Sequence, residues 1–285
     1  MTQTRLPTYF LSHGGGPWPW LKAERGSIYD QLENSLREVR RELGDAPRAV
    51  LMISAHWEAD RFLLSSAPRP PMLFDYNGFP EHTYRISYDA PGDPVLAETV
   101  RALLEGGGVP SGLDPQRGFD HGTFTLMHTM YPNADMPLVQ LAINADYDPA
   151  EHIRVGKLIA PLRDQGVVII GSGFSFHDTR GMMSGAGAEA SAAFDRWLDE
   201  TLVKASPGER QRGLLRWEDA PAARAAHPHE DHLIPLMVAV GAAGDDAGIR
   251  IYHQGDFMGA ITTSSFRFGA PVVSAPRKTL EEAVR

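Results

Sequence analysis

Ala49-Val50-Leu51-Met52-Ile53-Ser54-Ala55-His56-Trp57 carries no fixed charge and ends in a histidine and a tryptophan. A half-exposed strand would alternate apolar and polar residues. An unbroken apolar run bounded by polar residues is what a strand buried on both faces of a parallel sheet requires. Arg48 to Ser54 is therefore read as such a strand, and Pro7 to Leu11, Met136 to Ile143 and Gly166 to Ile170 as its neighbours. Helical segments fall between them. Ile28, Leu32, Leu36, Val39 and Leu43 share one helical face, and Pro94 to Leu104 stops at Gly106-Gly107-Gly108. His121 to Met130, Pro149 to Arg163, Ala188 to Ala205 and Leu233 to Ala243 complete the helices, and Ile249 to Tyr252 and Ser264 to Phe268 are expected to close the sheet. Pro68 to Pro94, rich in Pro, Gly and aromatics, predicts a long loop over a site, with a strand at Thr83 to Tyr88. The alternation predicts an α/β fold in which residues 1–285 form a single domain, a mostly parallel central sheet flanked by helices on both faces.

The composition narrows the function classes. The 285 residues carry a net charge of −9 and show no basic stripe, which argues against nucleic-acid binding. Cysteine is absent, so thiolate metal sites, disulfides and Cys nucleophiles are excluded. Met1 to Pro7 lacks the apolar core of a signal peptide, and no run approaches the roughly 18–20 apolar residues of a membrane span, so a cytoplasmic protein is expected.

The eleven histidines carry the chemistry. Imidazole is the commonest protein ligand for metals and the usual acid/base near neutral pH. Ser12-His13-Gly14 presents a histidine at a strand end, where open α/β sheets place ligands, though a surface-loop histidine reads equally well. His56 closes a longer apolar run, where a polar residue serves no packing purpose, which favours a ligand. Asp120-His121-Gly122 offers a carboxylate that either fixes a histidine tautomer or caps a helix. Gly171-Ser172-Gly173 lets the chain turn sharply, and His177, several residues beyond its strand, suits an acid/base role. His227, His229 and His232 open an apolar helix, with Pro228 in its first turn and His229 and His232 on one face. His82, His128, His152 and His253 read as ordinary. The set suits iron, zinc or manganese with open positions. Gly171-Ser172-Gly173 matches neither a nucleophile elbow nor a dinucleotide fingerprint, and Gly14-Gly15-Gly16 lacks the Lys of a phosphate loop.

Taken in order, Ser12-His13-Gly14-Gly15-Gly16-Pro17, Ile53-Ser54-Ala55-His56-Trp57, Tyr76-Asn77-Gly78-Phe79-Pro80, Tyr88-Asp89-Ala90-Pro91-Gly92, Asp120-His121-Gly122-Thr123, Gly171-Ser172-Gly173 with His177, and His227-Pro228 through Leu236 resemble the class III extradiol ring-cleaving dioxygenases, most closely their DOPA dioxygenase-like branch. The resemblance runs from residue 12 to about residue 243. It implies a non-haem Fe(II) that binds a catecholic small-molecule substrate and O2 and yields a ring-opened semialdehyde. By position, His13 and His56 match the first two metal ligands and His232 the third, with His227 or His229 replacing it if the helix starts later. His177 matches the acid/base histidine and a possible fourth ligand, and His121 matches a histidine lining the substrate and O2 pocket. The chain departs from the pattern at Phe174-Ser175-Phe176, at Asp178 and at the bulky Trp18 and Trp20, which would either narrow a pocket or prefer a flat apolar ring. Arg85 reads as a candidate for a substrate carboxylate and, more simply, as a solvated surface residue. A zinc-dependent hydrolase on the same histidines and a non-catalytic binding protein are the competing classes, zinc is an alternative occupant, and homo-oligomerisation is left open.

Overall fold

The strands in chain order are β1 (Thr8–Ser12), β2 (Ala49–Ala59), β3 (Phe62–Ser65), β4 (Ser111–Asp114), β5 (Leu138–Asn144), β6 (Val167–Gly173), β7 (Gly248–Phe257) and β8 (Ile261–Phe268). They form one sheet in the order β4-β3-β5-β2-β6-β1-β8-β7 in a computed structural model that describes residues 5–272. The four central strands, β5-β2-β6-β1, are mutually parallel. β8 runs antiparallel to β1, β7 antiparallel to β8, and β3 antiparallel to β5. Every residue of β1 and β6 is buried, as are the first seven of β2. That is the burial on both faces that the uncharged runs predicted.

Successive side chains of β6 meet different layers, which shows that helices cover both faces. Gly173 faces His232 just before the helix Ile234–Ala243 and Gly171 faces Pro235 in its first turn, whereas the Ser172 hydroxyl donates to Gly122 O of the helix His121–Met130 at 2.6 Å. All ten residues of Ile234–Ala243 are buried, and this helix crosses Pro149–Ile159 where Gly156 and Gly241 let the backbones touch. On the helix Asp30–Leu43 the buried positions Leu32, Leu36, Val39 and Leu43 follow the predicted apolar face. No helix among the described residues is long and apolar enough to cross a membrane.

Several expectations need correction. β2 does not end at Ser54. It continues to Ala59 across a register break between Ser54 and Glu58, so His56 sits in a bulge. Thr83 to Tyr88 is no strand; Glu81–Tyr84 is a 3-10 turn whose backbone is satisfied locally, with the Tyr76 hydroxyl donating to Thr83 O. The segment from His227 to His232 is a turn and not a helix. Pro235 occupies the first turn of Ile234–Ala243, and its ring would clash with the carbonyl of residue 231 in any helix running through from Pro228. Likewise the helix from Pro149 ends at Ile159 and tightens to 3-10, because Pro161 has no N–H to continue it. The helix from Ala188 passes at Asp199 into a π-turn over Glu200–Lys204. Gly171 and Gly173 do not make a sharp turn. They lie within β6 and permit close approach, since a Cβ on Gly173 would stand 2.2 Å from His232 O.

Gly173→Ala should therefore cost about 2 kcal/mol or more, because backbone must move. Gly106→Ala, at a helical position with open space around it, should be neutral or stabilise by a few tenths to about 1 kcal/mol. Urea midpoints of the two variants check the contrast; equal midpoints would refute it.

Candidate metal and active site

Strand ends and helix starts converge at the C-terminal edge of the parallel strands. His13 follows β1 and continues its ladder, with its N–H donating to Gly173 O at 3.1 Å. His56 projects from the β2 bulge, His121 begins the helix His121–Met130, and His232 directly precedes Leu233 and the buried helix. The ring centroids of His13, His56 and His232 lie 4.8–5.1 Å apart. His121 lies 3.9 Å from His56, and His177 stacks on His232 at 3.3 Å. Of the three candidates in the last segment, only His232 enters this group. His227 is buried against Phe194 and Trp217 with its Nε2 3.2 Å from Ser175 O, and His229 packs on Tyr147.

The ring nitrogens show what the group is suited to hold. His13 Nδ1 donates to Gly14 O at 2.7 Å, which leaves Nε2 a buried lone pair with no partner. His56 Nδ1 approaches Asp75 Oδ2 at 3.3 Å, and His232 Nδ1 lies 3.0 Å from Asp231 Oδ2, off the line of a hydrogen bond. His56 Nε2 and His232 Nε2 face each other at 3.2 Å. A hydrogen bond between them would put a proton on one Nε2 and turn that ring's Nδ1 lone pair toward a carboxylate. A cation between the nitrogens removes the conflict and uses the orphaned Nε2 of His13. The residues therefore fit a metal bound by neutral imidazoles, with the far nitrogen of His13 held by Gly14 O and those of His56 and His232 facing the carboxylates of Asp75 and Asp231. One nitrogen each from His13, His56 and His121 also come within 4.8 Å of one another, as do donor atoms of His177, Asp231 and His232.

Electrostatics agree with this protonation. Burial, reinforced by neighbouring imidazoles, holds His13, His56 and His232 well below the usual histidine range, so they are neutral at pH 7. Burial also lowers His177, opposed by the carboxylate of Asp231. His227 is pushed down to about 3, chiefly by burial and further by the neighbouring His177.

Two carboxylates organise the surroundings, and sequence reasoning weighed only one of them. Asp120 caps the helix His121–Met130 by accepting from Thr123 N at 3.0 Å, and it also accepts from Ser54 Oγ, Gln140 Nε2 and Arg117 Nη2. The partner of His121 is instead Asp75, which accepts from His121 N and faces Nδ1, both at 2.9 Å. Its signal was an acid inside the aromatic loop, directly before Tyr76-Asn77-Gly78-Phe79-Pro80.

The histidines floor a cavity of about 590 Å³ walled by Phe79, Phe174, Phe257, Tyr29 and Met182. Trp18 and Trp20 do not narrow it. Trp18 is buried, donating to His13 O at 2.7 Å and stacking on Tyr29, and Trp20 stacks on His128. Arg85 is a surface residue paired with Glu81 and does not reach the cavity. The histidines set aside as ordinary lie outside it: His152, for instance, accepts from Asn144 N at 3.1 Å.

Residues 7–269 match the family model described as the catalytic LigB subunit of aromatic ring-opening dioxygenase. The chain is 36% identical over 264 residues to a protein of Beta vulgaris named 4,5-DOPA dioxygenase extradiol, covering 92% of this chain and 96% of that one. It is 31% identical over 273 residues to an Escherichia coli protein of the same name, covering 94% and 97%. A crystal structure of an uncharacterized Escherichia coli protein superposes with a TM-score of 0.76 at 27% identity, covering 93% of this chain and all of that one.

Asp75→Asn should weaken metal binding by about 10- to 100-fold, measured by competition with a chelator, because the amide no longer fixes the His56 tautomer. Unchanged affinity would rule out that orienting role. The metal-free protein should lose stability on acidification. The unfolded His227 takes a proton near pH 6.5, and the folded one only near 3, so stability is full above about 6.5 and falls between these values by about 1.4 kcal/mol per pH unit for each such group. Urea melts at pH 7.5, 6 and 5 test the sign.

Proposed function

The chain belongs to the LigB family of aromatic ring-opening dioxygenases, and we propose that it cleaves a catecholic ring with O2 beside its two hydroxyls, using a non-haem Fe(II) held by His13, His56 and His232. It is an enzyme of the extradiol dioxygenase class. The observation that carries the site assignment is the facing pair of Nε2 atoms of His56 and His232, 3.2 Å apart, beside the unpartnered Nε2 of His13 at the foot of an aromatic cavity. A three-imidazole set accepts zinc as readily as iron, but only iron supports chemistry with O2. When bound, Fe(II) supplies a centre at which both catechol oxygens and O2 meet, so that positioning contributes much of the rate.

The protein's own groups do the rest. His177 is neutral at pH 7 and lines the cavity, and it is the base for a catechol proton. Its ring is held by the stack on His232, with Asp231 Oδ1 3.9 Å from Nδ1 to favour the imidazolium once formed. Its side chain keeps 25% exposure, which leaves a route for the proton to solvent. His121, fixed twice by Asp75, presents its ring to the same space and steers the second catechol oxygen. Phe79, Phe174 and Phe257 exclude water and lie against a flat ring. The product is a ring-opened semialdehyde. The names of the relatives favour a small-molecule catechol of the DOPA type.

His13→Ala and His56→Ala should each abolish stoichiometric metal binding, read by metal analysis after dialysis. His177→Ala should keep the metal and lower turnover about 10²- to 10⁴-fold. Loss of the metal in that variant would make His177 a ligand. The function itself is tested by O2 uptake of the Fe(II)-loaded protein with DOPA, protocatechuate and catechol. A yellow ring-fission product is expected, and uptake by none of them, with iron shown to be bound, would sink the proposal.

A further inference from the structure

The cavity lining contains, besides its histidines, one charged side chain among the described residues: Arg25. No carboxylate among the described residues lines the cavity. Arg25 ends the short helix Lys22–Arg25, is exposed, and places its guanidinium 5.9 Å from the centroid of the Phe79 ring, itself a wall of the cavity. The other charged residues of that helix face acceptors or donors elsewhere. Lys22 pairs with Glu33 at 2.6 Å, and Glu24 lies 3.9 Å from His82. Among the described residues no carboxylate stands within 4 Å of Arg25. An arginine that lines an apolar cavity, braced on its aromatic wall and unpaired, is arranged to receive an anion from that cavity.

We propose that Arg25 is a specificity-determining residue, the anchor for a carboxylate on the substrate's side chain. The assignment rests on the reading of the cavity as a catechol site. The guanidinium offers two parallel N–H donors to a carboxylate and lies over the Phe79 ring at the wall of the cavity. The described residues of the lining include no acid to meet a substrate ammonium, so selection is for the anion. The place sequence reasoning considered for this role, Arg85, is taken by an ion pair with Glu81, and its side chain is 74% exposed.

The test compares 3-(3,4-dihydroxyphenyl)propionate with 4-propylcatechol, which differ at the end of the side chain by a carboxylate in place of a methyl group. Anaerobic calorimetry on the metal-loaded protein gives the ratio of their dissociation constants. The wild type should favour the propionate about tenfold or more at low salt, with the ratio falling as salt rises. Arg25→Ala should bring the ratio to about one, Arg25→Lys should restore part of it, and Arg25→Glu should reverse it. No preference in the wild type, an undiminished ratio in Arg25→Ala, or no binding of either ligand would overturn the proposal. Failure of the catechol reading shows separately: both compounds bind with the expected ratio, yet the Fe(II) protein opens neither ring in air.

Discussion

The site depends on how closely one loop backbone can lie against the sheet. His232 O occupies the space where a Cβ of Gly173 would be, and Pro235 O does the same at Gly171. Phe174 N donates to that same His232 carbonyl at 3.1 Å, which ties the loop to the strand end. Only this approach carries the His232 ring across to His56, whose residue lies 176 positions earlier in the chain. Gly122 serves the same end from the opposite face, since a Cβ there would stand 2.9 Å from the His56 ring. Interiors are packed too densely for such contacts to tolerate an added methyl without displacement of backbone.

Burial on this scale has a consequence for charge. Imidazoles crowded together and cut off from water cannot all carry protons, and each depresses its neighbours. The same arrangement that makes a protonated site costly makes a neutral, lone-pair-bearing one available to a cation. Carboxylates sit behind the rings and not among them: Asp75 behind His56 and His121, Asp231 behind His232 and His177. Asp120 stays one layer further back, where it joins the β2 bulge to the start of the next helix through Ser54, Arg117 and Thr123. The histidines at the cavity floor and Arg25 in its lining are joined by the aromatic walls of Phe79, Phe174 and Phe257.

Much of this was legible in the order of residues. The uncharged runs at β1, β2, β5 and β6 declare buried parallel strands, and the helical spacing of Leu32, Leu36, Val39 and Leu43 declares the face that packs. Both are periodicities of a few residues, and they report which side chains must leave water. Histidines at the ends of such runs followed from the same logic, because α/β topology delivers strand ends to one edge. What failed was local geometry under competing demands. The bulge that carries His56 depends on strand partners distant in the chain, the turn that carries His232 on the position of a single proline, and the 3-10 turn at Glu81–Tyr84 on local bonds that no periodicity records.

The sequence by itself determined the layered α/β architecture and the set of histidines from which the centre is drawn, since hydrophobic burial and strand topology act through patterns written locally. Only the tertiary structure decided that His232 and neither His227 nor His229 meets His13 and His56, that Asp75 rather than Asp120 is the partner of His121, and that Arg25 rather than Arg85 reaches the cavity. These are choices among chemically equivalent residues. They are made by where the backbone can approach and which donors find acceptors, and sequence spacing carries no record of either.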